Sequence, residues 1–386
     1  MRRANAAGSF IYLDFNATTP VATDVVTAMA PFWTDAFYNP ASTYPEASAV
    51  QDAITIARKA LATLLGTEPH TIVFTSGGTE SNNWVFHSVW KLRPSSRYRV
   101  VLSAMEHPAV SQTAAALESL GAEITMIPVN SQGVIRMDVL EDVLDERTAL
   151  VSVMLVNNEI GTVQPIAEIT QRAHAVGALM HTDAAQAVGK IPIDVKALGV
   201  DFLTVAGHKF YAPKGIGALY IRSGVQVSPI LNGGGQQDGR RSGTEPVPLI
   251  VGLGKAAQLA YLWLQKDGPA RQVALRNTLE QQLREANPAI TVFGEKTERI
   301  PNTIAMAHPD WPGPTLLALC PAIRAGTGSA CHHPNDMGSP TLQAMGVAPE
   351  LARGLVRLSF GRETMAADLD VAVAALSRAL QQRSVT

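Results

Sequence analysis

Short apolar runs alternate with amphipathic stretches through the first two-thirds of the chain. The stretches at 109–120 and 166–176 carry apolar residues at helical spacing, and a Gly-rich turn precedes a helical stretch from about residue 82. This alternation predicts an α/β fold with a mostly parallel sheet and helices on both faces. The runs predicted as strands lie at residues 72–75, 100–103, 123–127, 149–155, 177–182 and from 200 onward.

The pattern changes beyond about Pro246. Residues 248–266 form one long predicted helix, whose apolar stripe includes Leu249, Ile250 and Leu253. Further amphipathic stretches and short apolar runs follow, which is typical of a smaller α+β unit. We therefore expect a large domain at 14–250, a linking helix at 248–266, and a small domain made of 1–13 and 265–386.

The composition favours a soluble enzyme with a large core. Hydrophobic residues make up 46% of the 386 residues, charged residues 17%, and the formal net charge is −2. This charge gives no general attraction to nucleic acid or to an anionic membrane. No run approaches the roughly 20 apolar residues of a membrane span, and no apolar stretch follows the two N-terminal arginines. With only two cysteines we expect no disulfide framework, and we expect a cytoplasmic protein.

Polar residues follow directly on the predicted strands. Ligands and catalysis in parallel sheets gather beyond the carboxyl ends of the strands. Five candidates therefore point to one site: Thr79, His107, Asn158, Asp183 and His208.

The strongest chemical signal is a lysine paired with an aspartate. Lys209 follows the apolar run VDFLTVAGH, and Asp183 and Gln186 precede it by 26 and 23 positions. Pyridoxal phosphate chemistry needs a lysine for a Schiff base and an aspartate for the pyridine nitrogen. Burial would favour the neutral lysine amine. Asp183 could instead be a helix N-cap, but the pair together favours the cofactor.

Two other segments carry both a chemical and a structural interpretation. SGGTES at 76–81, which includes Gly78 and Thr79, places backbone N–H groups at a helix N-terminus, as in a phosphate cup. It could equally be a tight turn with a capping box. His107 could lie on a pyridine ring and move a proton, or it could cap the helix that follows.

The loop at 324–340 carries Cys331 near its centre. A thiol in a loop of small polar residues is suited to nucleophilic attack, whereas Cys320, in LLALC, fits a buried structural site. His332 and His333 could lower the pKa of the Cys331 thiol; we expect no metal there, because nothing nearby has ligand spacing. Arg357 is predicted to be buried, where it would bind a substrate carboxylate or form a structural salt bridge.

Together these motifs resemble the cysteine desulfurases, which are fold-type I pyridoxal phosphate enzymes of the class-V aminotransferase group. The resemblance covers nearly the whole chain in order. It implies an aspartate aminotransferase-like fold with a mostly parallel, seven-stranded-type sheet and a smaller α+β domain that carries the cysteine loop. The matching segments are YLDFNATTP, NPAS, IVFTSGGTES, EHPAV, VNNEIGTVQPI, HTDAAQAVGKIPID, GHKFYAPKGIGALY, RSGTEPVP, GSAC and VRLSFGR.

The resemblance also implies roles for individual residues. Lys209 would be the Schiff-base lysine and Cys331 the acceptor of sulfur as a persulfide. The substrate carboxylate would be bound by Asn158 and Arg357. The other implied cofactor contacts are Asp183 to the pyridine nitrogen, Gln186 to the ring hydroxyl, His107 on the ring, and Gly78, Thr79, His208 and a partner subunit's Thr244 at the phosphate.

The resemblance implies a homodimer that converts L-cysteine to L-alanine and passes sulfur to an acceptor protein or small molecule. The alternatives are a C–S lyase, aminotransferase or epimerase of the same fold, or a non-catalytic protein that binds the cofactor. The chain departs from the family pattern at Ala206, where serine is usual, in TYPEAS after NPAS, and in HHPNDMGSP after Cys331. It also ends soon after its last predicted helix.

Overall fold

Strands and helices alternate along the chain as its polarity pattern predicts. The structure, a computed structural model, describes residues 2–5, 8–328 and 338–382. Within these residues the strands are β1 (Arg2–Asn5), β2 (Gly8–Leu13), β3 (Ile72–Thr75), β4 (Arg99–Ser103), β5 (Glu123–Ile127), β6 (Thr148–Ser152), β7 (Leu179–Asp183), β8 (Phe202–Ala206), β9 (Gly217–Ile221), β10 (Thr291–Val292), β11 (Thr303–Ala307), β12 (Ile323–Ala325) and β13 (Val356–Ser359).

Helices occupy the segments between these strands. Within the described residues, short 3₁₀ turns lie at Pro69–Thr71 and Gly207–Lys209. The α-helices of the described residues are α1 (Thr23–Met29), α2 (Pro31–Thr34), α3 (Pro45–Leu65), α4 (Gly78–Leu92), α5 (Pro108–Glu118), α6 (Met137–Val143), α7 (Ile166–Ala175), α8 (Val195–Leu198), α9 (Val247–Leu264), α10 (Gly268–Ala286), α11 (Gly313–Ala318), α12 (Pro340–Ala344), α13 (Pro349–Ala352) and α14 (Ala366–Leu380).

The largest sheet has seven strands in the order β3-β9-β8-β7-β6-β4-β5. Only β9 runs antiparallel to its neighbours, so six carboxyl ends face the same edge. Helices α1, α3, α7 and α9 contribute to a core on one face, and α4 and α5 contribute to a core on the other. The α/β class with a mostly parallel sheet covered on both faces is confirmed.

Helix α9 packs its apolar side against α3 in the core. Ile250 and Leu253 are fully buried, and a side chain at Gly254 would collide with Ala57 on α3. Small residues at this crossing let the two backbones approach closely. By length and composition, α9 is the one helix of the described residues that could span a membrane. Its apolar stripe is explained by its packing against α3, because Ile250 and Leu253 are buried there.

A separate core lies in the C-terminal part of the chain. Strands β10, β11 and β13 form an antiparallel sheet, and β2 pairs with β12 in a second small sheet. Their apolar residues pack with those of α10 and α14. Because β2 pairs with β12, the start of the chain lies beside its C-terminal part. The segment between β2 and α1 therefore runs from one core to the other.

Candidate active site

A cavity of about 310 Å³ opens at the carboxyl ends of the central strands. A volume of this size is typical of small-molecule sites, and pockets in parallel sheets form at this edge. It brings together most of the residues that the sequence predicted for the site. Those that line it are Gly78, Thr79, His107, Asn158, Asp183, Gln186, His208, Lys209 and Arg357.

The Lys209 amine lies in this cavity with no hydrogen-bonded carboxylate among the described residues. Nζ donates to the backbone oxygens of Asn16, at 2.7 Å, and Ala17, at 2.9 Å. Burial, together with the positive charge of Arg357, lowers the pKa of Lys209 to about 8. The amine is therefore partly neutral near physiological pH, which is the form that attacks a carbonyl.

Asp183 is the last residue of β7 and is held by two donors. Its Oδ2 accepts a 2.7 Å hydrogen bond from Asn82 Nδ2, and its Oδ1 accepts from the backbone N–H of Ala185 at 2.9 Å. The second contact has the form of the capping interaction that the sequence left open, so Asp183 both stabilises the turn and faces the cavity. His181, two residues earlier, is fully buried, and burial lowers its pKa to about 4.

Helix α4 begins at Gly78, four residues earlier than the apolar pattern indicates. Gly77 has φ 152°, and Glu80 accepts a hydrogen bond from the backbone N–H of Ser76 at 2.8 Å. Ser76 precedes the N-cap, Gly77, which has no side chain to cap the helix, so SGGTES forms a tight turn without a capping box. The same turn leaves Gly78 and Thr79 at the cavity wall. Free N–H groups at a helix start favour an anion.

His208 lines the same cavity as Gly78 and Thr79. Its Nδ1 is 3.1 Å from the hydroxyl oxygen of Thr18. Burial and the positive charge of Lys209 lower the pKa of His208 to about 4. The imidazole is therefore neutral at physiological pH and able to donate one hydrogen bond to an anion.

His107 caps the helix that follows it and is also part of the cavity wall. It is the N-cap of α5, where its Nδ1 accepts from the backbone N–H of Ala109 at 3.0 Å, and it also lines the cavity. Nδ1 is an acceptor, so the proton of the neutral ring is on Nε2. Desolvation by the surrounding protein, together with the positive charge of Lys209, lowers the pKa of His107 and favours this neutral form.

Glu106, next to His107, was not predicted from the sequence. Its Oε1 accepts from the backbone N–H of Met154 at 2.7 Å, and its Oε2 is buried without a partner among the described residues. Burial and the nearby negative charge of Asp183 raise the pKa of Glu106 well above its ordinary value. Burial therefore favours the protonated form of this side chain, which adjoins the cavity residue His107 in sequence.

Arg357 forms the salt bridge that was the structural alternative, and it also lines the cavity. Nη2 donates to Asp14 Oδ1 at 2.6 Å, and Nη1 donates to the backbone oxygen of Asn158 at 3.0 Å. Its Nε is buried without a partner among the described residues. Arg357 as a whole is 3% exposed. Because a buried donor normally has a hydrogen-bond partner, the unused Nε–H favours the binding of an anion.

Two predicted residues lie away from this constellation. Thr244 is exposed on the loop before α9 and does not line the cavity of its own chain. Cys331, with His332 and His333, lies outside the described residues. Cys320 is 1% exposed, as the sequence indicated, and burial raises the pKa of its thiol.

The site also contains residues that motif reasoning missed. Asn16 and Asp14 lie in YLDFNATTP, whose polar positions between apolar ones were a usable signal. Asn82 is three residues after Thr79, so helical spacing could have placed both on one face of α4. Lys190 gave no such signal, because nothing in its neighbourhood shows that its amine is buried.

The chain is similar over nearly its whole length to proteins of known activity. The sequence model of the family described as aminotransferase class-V matches residues 11–371. A protein of Methanosarcina thermophila named cysteine desulfurase IscS is 43% identical over 362 residues, covering 93% of this chain and 89% of that one. A cysteine desulfurase of Gluconacetobacter diazotrophicus is 44% identical over 364 residues, covering 93% and 90%.

Solved structures extend this similarity to three dimensions. A NifS-like protein superposes with a TM-score of 0.90 at 33% identity, covering 96% of this chain and 99% of that one. A structure described as SspA in complex with cysteine gives a TM-score of 0.81 at 33% identity, covering 92% of this chain and all of that one. The fold expected from the motifs is therefore confirmed.

Proposed function

This chain belongs to the class-V aminotransferase family, within its cysteine desulfurases, and we propose on this premise that it is a pyridoxal-phosphate-dependent cysteine desulfurase. It would convert L-cysteine to L-alanine and transfer the sulfur to a protein thiol. One observation carries the proposal: a lysine amine with a lowered pKa, a carboxylate and an arginine share one cavity.

The residues of the cavity fit pyridoxal phosphate. Asp183 would hold an oriented carboxylate against the ring nitrogen, and the start of α4 at Gly78 and Thr79, with His208, would offer donors for the phosphate. The amine of Lys209 is available for covalent attachment. When bound, this cofactor supplies an electron sink for the carbon that carries the substrate amino group.

The chain's own residues would bind the substrate and move its protons. Arg357 has an unpartnered Nε for the substrate carboxylate, with Asn158 beside it. Lys209, with a pKa of about 8, can both accept and return a proton near neutral pH. His107 carries a proton on Nε2 at the cavity wall and is a second candidate for proton transfer.

Cys331 is the thiol to which we assign the transferred sulfur. A thiolate is the nucleophile in such a transfer, and burial at Cys320 disfavours that form. Of the two cysteines in the sequence, Cys331 is therefore the better acceptor. Its thiolate would bond to the substrate sulfur as the carbon–sulfur bond breaks, leaving L-alanine and a persulfide for a protein or small-molecule acceptor.

A homodimer would complete the site. Thr244 is exposed in the single chain, which suits a contact with the partner's cofactor phosphate. Trp33 and Phe37 are 58% and 66% exposed, and Phe37 stacks on Tyr38. Exposed aromatic residues of this kind are typical of interfaces. Sedimentation should show a dimer, and a fully active monomer at assay concentration would contradict the assignment of Thr244.

Product analysis on the purified, cofactor-loaded protein tests the activity. L-cysteine and a reducing thiol should yield alanine and sulfide in equal amounts. Pyruvate with ammonia would instead identify a C–S lyase, and neither set of products would indicate a protein that binds the cofactor without turnover. The named relatives favour the desulfurase over these alternatives.

A further inference from the structure

Lys190 is a second lysine buried beside the cavity. It is 7% exposed, and its Nζ donates to Gln186 Oε1 at 2.6 Å and to Asn16 Oδ1 at 2.8 Å. Gln186 lines the cavity, and Asn16 lines it as well. Lys190 therefore contacts two site residues without lining the main cavity itself.

No carboxylate among the described residues bonds to the Lys190 amine, and the charges that face it are positive. Lys209 and Arg357 are near enough to lower its pKa, and burial lowers that pKa further, well below the ordinary lysine value. Lys190 also lines a small cavity of about 10 Å³ together with Arg362 and Tyr211. Burial raises the pKa of Tyr211 to about 12, so it supplies no negative charge at neutral pH.

The two acceptors match an uncharged amine. A neutral lysine has two N–H donors, and both are used, on Gln186 and on Asn16. A protonated lysine would have a third donor to satisfy inside the protein, which is costly. The two hydrogen bonds and the positive charges nearby thus both favour the neutral amine of Lys190.

The neighbours of Gln186 allow only one orientation of its side-chain amide. Its Nε2 donates to the backbone oxygen of Asn16 at 2.9 Å, and a backbone carbonyl can only accept. Lys190 donates to Oε1 from the other side. One N–H of the amide remains for the cavity, so Gln186 faces a ligand there as a donor.

We propose that Lys190 is a positioning residue, which holds Gln186 so that its amide offers an N–H to the ring oxygen of the bound cofactor. This inference rests on the proposed function. Lys190 also donates to the Asn16 side chain and so orients it. The backbone oxygen of Asn16 accepts from Lys209 Nζ at 2.7 Å. Lys190 therefore also helps set the position of the lysine that attaches the cofactor.

The first test measures the charge of Lys190 without using the cofactor. The free energy of unfolding of the full-length chain, freed of cofactor, is compared between wild type and Lys190→Met from pH 7 to 9.5 at one protein concentration. An amine that is neutral when folded but charged when unfolded gives the unfolded chain one extra proton. The unfolding equilibrium constant of wild type should then fall tenfold per pH unit relative to that of the variant, so wild-type stability rises with pH. Lys209 also titrates in this range, so the comparison is repeated with Lys209→Ala in both proteins, where the ratio isolates Lys190.

The second test measures positioning. Cofactor release from Lys190→Met should be about tenfold faster than from wild type, the effect of roughly one lost hydrogen bond, with a shifted cofactor absorption band. Lys196→Met, the same change at an exposed lysine, should alter neither the release rate nor the pH dependence. If Lys190→Met does not fold, Gln186→Glu replaces it in the first test, because the new carboxylate would hold the lysine charged and give the same loss of slope.

The outcomes separate the two proposals. A pH-independent stability ratio would overturn the neutral amine, and unchanged cofactor release and absorption in Lys190→Met would overturn the positioning role. Wild-type protein that binds no pyridoxal phosphate would instead refute the proposed function, while the stability comparison would still report on Lys190.

Discussion

Asn82 on α4 donates a 2.7 Å hydrogen bond to the carboxylate of Asp183, which lies 101 positions later at the end of β7. Asn82 is 1% exposed and Asp183 6% exposed, so the contact is made inside the protein. It fixes the orientation of the one carboxylate assigned to the pyridine nitrogen. The amide thus links α4, whose start is the proposed phosphate site, to the carboxylate proposed for the ring nitrogen.

Asn82→Ala should weaken cofactor binding without abolishing it. Asp183 would keep its contact with the Ala185 N–H but lose a hydrogen bond to a charged group, which contributes about 1.5–3 kcal/mol. The dissociation constant of the cofactor, measured by equilibrium dialysis, should rise by about 10- to 100-fold. Asn83→Ala, whose side chain donates to the backbone oxygen of Thr79 and not to Asp183, is the matched control and should change it far less.

Attachment of the cofactor to the freshly prepared apoprotein should follow the titration of Lys209. Its pKa is lowered to about 8, so the neutral amine increases about tenfold per pH unit below that value and levels off above it. The attachment rate should show the same midpoint, whereas an ordinary lysine would still be gaining reactivity near pH 10. Stopped-flow absorbance measures the rate.

Lys209→Ala is the companion variant for that measurement. It should fold but retain no cofactor on the protein after borohydride reduction, as read by intact mass. Lys214→Ala removes an exposed lysine from the same loop and should behave as wild type. Covalent cofactor on Lys209→Ala would mean that another lysine makes the attachment.

Ala206→Ser should slow the loss of cofactor on dialysis. Ala206 is 4% exposed and lines the cavity beside Gly78, so a hydroxyl there can donate to the phosphate. A hydrogen bond to a charged group of about 1.5–3 kcal/mol corresponds to a tenfold or larger effect. Ala206→Cys adds only a weak donor of similar size and should not match it. An unchanged or faster loss from Ala206→Ser would show that this position does not face the phosphate.

Cys331→Ala should keep the cofactor absorbance and lose turnover. Alanine formation and labelled protein persulfide should fall together by orders of magnitude, because the thiolate that attacks sulfur is gone. Cys320→Ala should leave both nearly unchanged and lower the free energy of unfolding by about 1 kcal/mol, since it vacates a buried site. Near-normal turnover by Cys331→Ala would favour the lyase.

The position of polar residues just after predicted strands accounts for much of what the sequence could predict about the site. Thr79, His107, Asn158, Asp183 and His208 each follow a predicted strand, and all five reach one cavity because the parallel strands end at the same edge. Boundaries were less accurate: β7 extends to Asp183, one residue beyond the predicted end, and α4 starts at Gly78, four residues before the predicted start. The proposed domain boundaries and the role of Thr244 remain predictions.

The sequence by itself determined the alternation of strand and helix, the lysine and aspartate of the site, and the family resemblance. These depend on local periodicity and on motifs of a few consecutive residues. Only the tertiary structure decided which partners those residues have. Lys190 bonds to Asn16 across 174 positions, and Arg357 pairs with Asp14 across 343. Such contacts fix orientation and pKa, and no local pattern encodes them, because burial and charge proximity arise only when distant segments pack together.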